Sequence, residues 1–191
     1  MSKCFSMNHP WAEAARALSD NKLVVLPTDT IYGLAAKALS PLAIAKLNQA
    51  KGNRTNKPYI IAIASINQLQ IFQTKLSTTQ QDYLRQVWPG PTSVILTCPS
   101  STCPYLHHGK NTLAFRLPTF KPLIDLIEQV GPLAIPSSNP SGAKSATSIA
   151  EAVSYFGPEV AVYVKADQEP LAGKPSTLID LTTNPPTIIR P

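Results

Sequence analysis

Charge is scarce in this chain of 191 residues: Asp, Glu, Lys and Arg make up 15% of it, against roughly 25% in an ordinary globular domain. Because 43% of the residues are hydrophobic, disorder over most of the length is excluded. Cysteine is rare too. The three, Cys4, Cys98 and Cys103, are odd in number and lack C-x-x-C spacing, which argues against a disulfide framework. Histidine is limited to His9, His107 and His108. The order Cys98, Cys103, His107, His108 fits no common zinc module, and nothing nearby orients either His of the pair for nucleophilic catalysis. No apolar run nears the roughly 20 residues that cross a bilayer, and the start, MSKCFSMNHPW, has no long apolar stretch and no cleavage site. A soluble, cytoplasmic protein with no membrane partner is the expectation. The G-x-x-x-x-G-K-[ST] and G-x-G-x-x-G loops are also missing, which excludes an ordinary P-loop or Rossmann nucleotide site.

What the chain does hold is proline, 19 residues of it, and an uneven charge distribution. Proline fixes φ and removes a donor, so many rigid or extended loops are expected. Net charge is 0 over residues 1–29, +9 over 30–124, where Asp82 is the single acid, and −3 over 125–191. A basic centre in an otherwise mildly acidic chain points to an anionic ligand such as a nucleotide or an RNA phosphate, or else to a solvated basic face.

The periodicities alternate. Trp11, Ala14, Ala15 and Leu18 share a helical face, and the apolar run Leu23–Leu26 that follows is short enough for a buried strand. A helix is expected over 41–50, then a polar turn over 51–57 and a strand over 59–64. Further helices are expected over 79–87, around Leu123–Val130, and after Ser148, where Glu151 completes a capping-box pattern. Strands are expected over 93–97, 112–117, 133–135, 160–164, 178–181 and 187–189. With length near the upper end of one ordinary domain, this predicts a single α/β (α+β) domain over 1–191, a mixed sheet covered by helices.

Four polar segments interrupt the pattern, where open α/β sheets bind ligands. Residues 27–34, PTDTIYGL, crowd hydroxyls and one carboxylate into a turn that suits a small zwitterion or simply satisfies its own backbone. Residues 51–58, KGNRTNKP, carry three cations at a helix end, where they complement the helix dipole or hold phosphate. Residues 136–142, PSSNPSG, present small hydroxyls and backbone amides ahead of a helix, which favours anions. The fourth is GKPSTLID at 173–180, with TIIRP at 187–191.

Together these segments, with WPGPTSVIL at 88–96 and AFRLP at 114–118, resemble the YrdC-like family, the threonylcarbamoyl-AMP synthases. The resemblance implies a twisted α/β sheet with a large concave basic surface. It implies a nucleotidyltransferase that makes threonylcarbamoyl-AMP and pyrophosphate from L-threonine, bicarbonate and ATP, for threonylcarbamoyladenosine in tRNA. By position, Thr28, Thr30 and Tyr32 would bind threonine and bicarbonate. Lys51 and Arg54, with Arg116, Ser137, Asn139, Ser176, Thr177 and Arg190, would bind ATP, and no residue is expected to act as a nucleophile or a protein-borne metal ligand. Mg2+ would come with the ATP. The family reads K-x-R followed by Pro, whereas here Asn53 holds the Arg position and Arg54 the next one; a long guanidinium stem can absorb that shift. Lys51 and Arg54 are both expected to be exposed. The implied partners are downstream tRNA threonylcarbamoyl-transferase proteins and, weakly, double-stranded RNA or tRNA. The alternative from another class is a double-stranded RNA- or ribosome-binding protein of the same fold without this activity.

Overall fold

A computed structural model describes residues 9–52, 59–167, 169, 171 and 173–191. Its helices are α1 (His9–Ser19), α2 (Pro41–Ala50), α3 (Thr78–Val87), α4 (Pro104–His107), α5 (Lys121–Val130) and α6 (Ile149–Phe156). The strands are β1 (Leu23–Pro27), β2 (Tyr32–Lys37), β3 (Ile60–Ala62), β4 (Thr92–Thr97), β5 (Thr112–Arg116), β6 (Leu133–Ala134), β7 (Val160–Tyr163), β8 (Thr177–Asp180) and β9 (Thr187–Arg190). They form one mixed sheet in the order β7-β1-β2-β6-β3-β5-β4-β8-β9. Parallel pairs are β1 with β7, β3 with β5 and β4 with β8; the other neighbours run antiparallel. The expected mixed sheet flanked by helices is the observed one. No helix of the described residues is long and apolar enough to cross a membrane.

The helices begin where side chains can accept their first N–H groups. Ser40 Oγ accepts from Ala43 N ahead of Pro41, and Ser77 with Gln80 makes a reciprocal capping box for α3. At α6 Ser148 accepts from Glu151 N as expected. The Glu151 carboxylate makes its closest bonds one residue further back, at Thr147 N and Oγ1 (2.7 and 3.1 Å).

Period-two alternation sends β1 to both sides of the sheet. Leu23 and Val25 join the larger core with Ile44 and Leu47 of α2. Val24 and Leu26 join a second core with Leu18 of α1 and Leu126 and Ile127 of α5. Trp11 meets Phe120 edge-on there, with ring centroids 5.7 Å apart. Leu126 is fully buried, so Leu126→Ala would cost about 2–5 kcal/mol.

Two features differ from the expectation and shape the site. Strand β2, YGLAAK, has small residues that give no strand signal, and its first three residues fall in the polar segment 27–34; pairing with β1 and β6 makes it a central strand. Gly33 is required in it, since a Cβ there would stand 2.2 Å from Ile135 Cγ2. The segment after β6 does not run straight into a helix, because α6 starts only at Ile149. Ser137 instead bridges back to Gly33, and Ser138 N donates to Tyr32 O. The 136–142 loop therefore carries no helix N-terminus.

Candidate active site

A cavity of about 250 Å³ opens between the β1–β2 turn and the ends of the central and β8–β9 strands. Thr28, Thr30, Tyr32, Arg116, Ser137, Ser176 and Arg190 all line it, on a floor that includes Ile60, Ala62, Ile95, Ala114 and Leu178. These seven expected site residues come from across the chain. The sheet order brings them together: β2 and β6 are neighbours, β5 lies next to β4, and β8 and β9 follow.

The turn is tightly wound around Thr28. Its hydroxyl donates to Ile31 O (2.7 Å), accepts from Thr30 N and Ile31 N (3.1 and 3.2 Å), and lies 3.0 Å from Thr30 Oγ1. That is the self-satisfying turn left open by the sequence, and it still faces the cavity. Asp29, between the two threonines, bridges outward: Oδ2 accepts from Thr119 N and Oγ1 (3.1 and 3.0 Å), and Oδ1 lies 2.7 Å from Arg116 Nη2.

Arg116 is buried at the end of β5. Nε donates to Gly90 O (3.1 Å) and Nη1 to Thr30 Oγ1 (2.9 Å). Nη2 meets Asp29 as an ion pair with no aligned hydrogen bond, although both side chains are about nine-tenths buried. Burial pulls the Arg116 pKa down and Asp29 pushes it back up, with nearby Arg190 a smaller lowering influence; a guanidinium stays charged throughout. Across the cavity Arg190 donates from Nε and Nη2 to Ser176 O (3.0 and 2.7 Å). Ser176 Oγ is held 2.8 Å from the buried Ser93 Oγ. Two guanidiniums on one small cavity make an anion site, and the apolar floor suits a flat ring.

Tyr32 is fully buried, and its hydroxyl works away from the turn. It donates to Glu169 Oε1 (2.5 Å) and accepts from Ala166 N (2.7 Å). The same carboxylate oxygen accepts from Ile149 N at the start of α6 (2.9 Å). Burial first, then the bond to Glu169, raises the Tyr32 pKa, while the tyrosine hydroxyl holds the Glu169 carboxyl below its ordinary value. Glu169 was not foreseen. Gly173, which opens the fourth polar segment of the sequence, has its backbone so close to the turn that a Cβ would sit 1.8 Å from Thr30 O.

Lys51, Asn139 and Thr177 are not among the residues lining the cavity. Lys51 is not exposed as expected but only 1% accessible. Its ammonium donates to Ser137 O (2.7 Å), to Asn139 O, and to Asn139 Oδ1 (3.2 Å). The reason is geometric: α2 ends directly behind the 136–142 loop, and that loop needs a donor for its inward carbonyls. Asn139 is braced in turn by Ser137 Oγ (2.6 Å) and by donating to Ala143 O (2.7 Å). Thr177 opens β8, its N–H on Pro91 O (3.0 Å). Arg54 lies outside the described residues. Among the described residues no three His, Cys, Asp or Glu side chains cluster as a metal site.

Residues 16–191 match the Sua5/YciO/YrdC family model, described as telomere recombination. The chain belongs to the Sua5/YciO/YrdC family. The threonylcarbamoyl-AMP synthase of Pyrococcus abyssi is 34% identical over 179 residues, covering 93% of this chain and 52% of that protein. Threonylcarbamoyl-AMP synthase of Bacillus subtilis is 33% identical over 189 residues, covering 97% and 54%. The crystal structure of P. abyssi Sua5 complexed with L-threonine matches the fold with a TM-score of 0.86 and 35% identity, over 93% of this chain and 52% of that one. This Sua5/YciO/YrdC chain thus spans about half the length of these relatives.

Proposed function

We propose that the protein is an L-threonylcarbamoyladenylate synthase. The observation that carries this reading is the joining, in one cavity, of the hydroxyl-rich Thr28–Tyr32 turn with two guanidiniums, Arg116 and Arg190. The names of the relatives and the L-threonine bound to the P. abyssi structure support it.

In the proposed reaction the neutral amine of threonine attacks the bicarbonate carbon, and water leaves as the carbamate forms. A carbamate oxygen then attacks the α-phosphorus of ATP, the bond to the β-phosphate oxygen breaks, and pyrophosphate departs. No covalent intermediate on the protein is needed. The side chains act by positioning and by opposing developing charge. Thr28 and Thr30 border the amino-acid end. Arg116 and Arg190 take phosphate or carboxylate oxygens, and Ser137 and Ser176 add hydroxyls beside them. Lys51 and Asn139 contribute from behind by shaping the Ser137 loop. Mg2+ would enter with ATP, held by phosphate oxygens and water; the hydroxyls and guanidiniums of the cavity leave the ATP phosphates as its main ligands.

The product would pass in the cytoplasm to tRNA threonylcarbamoyl-transferase proteins, and any RNA contact would be backbone-directed and weaken steeply with salt. The test is to incubate pure protein with ATP, labelled bicarbonate and single amino acids. Formation of a labelled adenylate with threonine, less with serine, and none without bicarbonate is expected. ATP turnover indifferent to both co-substrates would sink the reading, and tight salt-resistant RNA binding without turnover would favour the RNA-binding alternative.

A further inference from the structure

We infer that Asp29 is a positioning residue for the anion site: it sets the Arg116 guanidinium and locks the cavity wall behind it, without touching substrate. The inference rests on the functional reading above and names a component of that site. Three observations lead to it. Among the described residues Asp29 is the only carboxylate that lines the cavity. One of its oxygens faces Arg116 Nη2 at 2.7 Å, and the other takes both the N–H and the hydroxyl of Thr119. Thr119 stands between Pro118, which lines the cavity, and α5, whose Leu123 also lines it. One side chain therefore ties the β1–β2 turn, the end of β5 and the entry to α5 into a single frame.

A carboxylate in this place could instead grip the ammonium of the amino acid. The chemistry argues against that. The amine must be neutral to attack carbon, and a carboxylate in contact would stabilise its protonated form. Moreover, Oδ1 already faces a buried cation that keeps two other bonds, to Gly90 O and Thr30 Oγ1. Held on three sides, the guanidinium of this cavity-lining residue has a fixed direction. If Asp29 were lost, Arg116 would keep its charge but not its aim, and a displacement of about 1 Å at a reacting group costs as much as about 100-fold in rate.

The test compares wild type, Asp29→Asn, Arg116→Met and the double variant, by adenylate formation and by calorimetric ATP binding. In the wild-type background Asp29→Asn should lower kcat about 10- to 100-fold, weaken ATP about 3-fold or more because the guanidinium loses its aim, and leave the threonine KM unchanged. In the Arg116→Met background the same change should cause no further loss of kcat. There it should tighten ATP about 3-fold or more, because it removes a buried carboxylate left without its cation. This reversal of sign is not produced by a role confined to folding. If Arg116→Met does not fold, Arg116→Lys replaces it, with the reversal reduced to a loss smaller than that in wild type. Equal losses in both backgrounds, or a rise in threonine KM, would overturn the inference in favour of direct contact; unchanged kcat in Asp29→Asn would overturn it outright. Wild type that binds ATP but forms no threonine-dependent adenylate would defeat the functional reading alone, and the binding cycle would still decide Asp29. Wild type that binds no ATP defeats both.

Discussion

Two cations sink into the protein beside the cavity, and among the described residues they meet different partners. Arg116 faces a carboxylate, Asp29, with both side chains about nine-tenths buried. Lys51, only 1% exposed, faces carbonyl oxygens of the 136–142 loop. The first pair is nearly neutral as a unit, so its use lies in direction more than in charge. The Lys51 ammonium holds the Ser137 and Asn139 carbonyls in place behind the cavity wall. A buried cation is thus aimed in one place and ties down a loop in the other.

The comparison breaks most visibly at Arg116. Arg116→Ala strands Asp29 in a buried site and is expected to cost about 3–5 kcal/mol, measured by urea unfolding, with adenylate formation lowered about 10- to 150-fold. Lys51→Met leaves the Ser137 and Asn139 carbonyls short of a donor, so about 1–3 kcal/mol is expected. A loss as large as that of Arg116→Ala would show that the two cations are braced alike.

Tyr32 sharpens the contrast between holding the fold and holding a ligand. Because its hydroxyl is taken by Glu169 and Ala166, Tyr32→Phe should lower stability by about 1–2 kcal/mol and leave the threonine KM near that of wild type. A large rise in that KM would return Tyr32 to the binding residues. The bond also carries a pH signature. The Glu169 carboxyl is depressed in the folded protein, so its contribution is fully present above the ordinary glutamate value of about 4.3 and is lost as pH falls through the lower folded value. The stability difference between Tyr32→Phe and wild type, read by urea unfolding, should accordingly shrink in acid.

The smallest effect on stability is expected at Arg190. It lies on the exposed strand β9 and, among the described residues, hydrogen-bonds to Ser176 alone. Arg190→Ala should change stability by no more than about 0.5 kcal/mol yet weaken ATP about 10-fold, as one charge-assisted phosphate contact is removed. Calorimetry on the variant checks both halves of that statement.

Much of this was readable in the chain itself. Apolar spacing located the helices around Trp11–Leu18 and Leu123–Val130, and the short runs located strands such as Leu23–Leu26, because burial of one helical face or of alternate strand residues leaves its period in the sequence. Local chemistry also marked the turn at Thr28 and the hydroxyl loop at Ser137, since short polar side chains after an apolar strand have few other uses. Strand β2 was hidden: Gly33, Ala35 and Ala36 carry little β-propensity, and their burial comes from neighbours on both sides.

Partnership between distant residues was not readable from local pattern. Asp29 finds Thr119 across 90 residues, and Tyr32 finds Glu169 across 137. That Lys51 points inward, that Gly173 must lack a side chain against Thr30, and that Arg116 has a carboxylate beside it are consequences of strand order, which places distant segments in contact. The sequence by itself determined which groups could hydrogen-bond, carry charge or be buried. Only the tertiary structure decided which group meets which, because a contact between distant segments exists only once the sheet has closed the loops between them, and no local period records it.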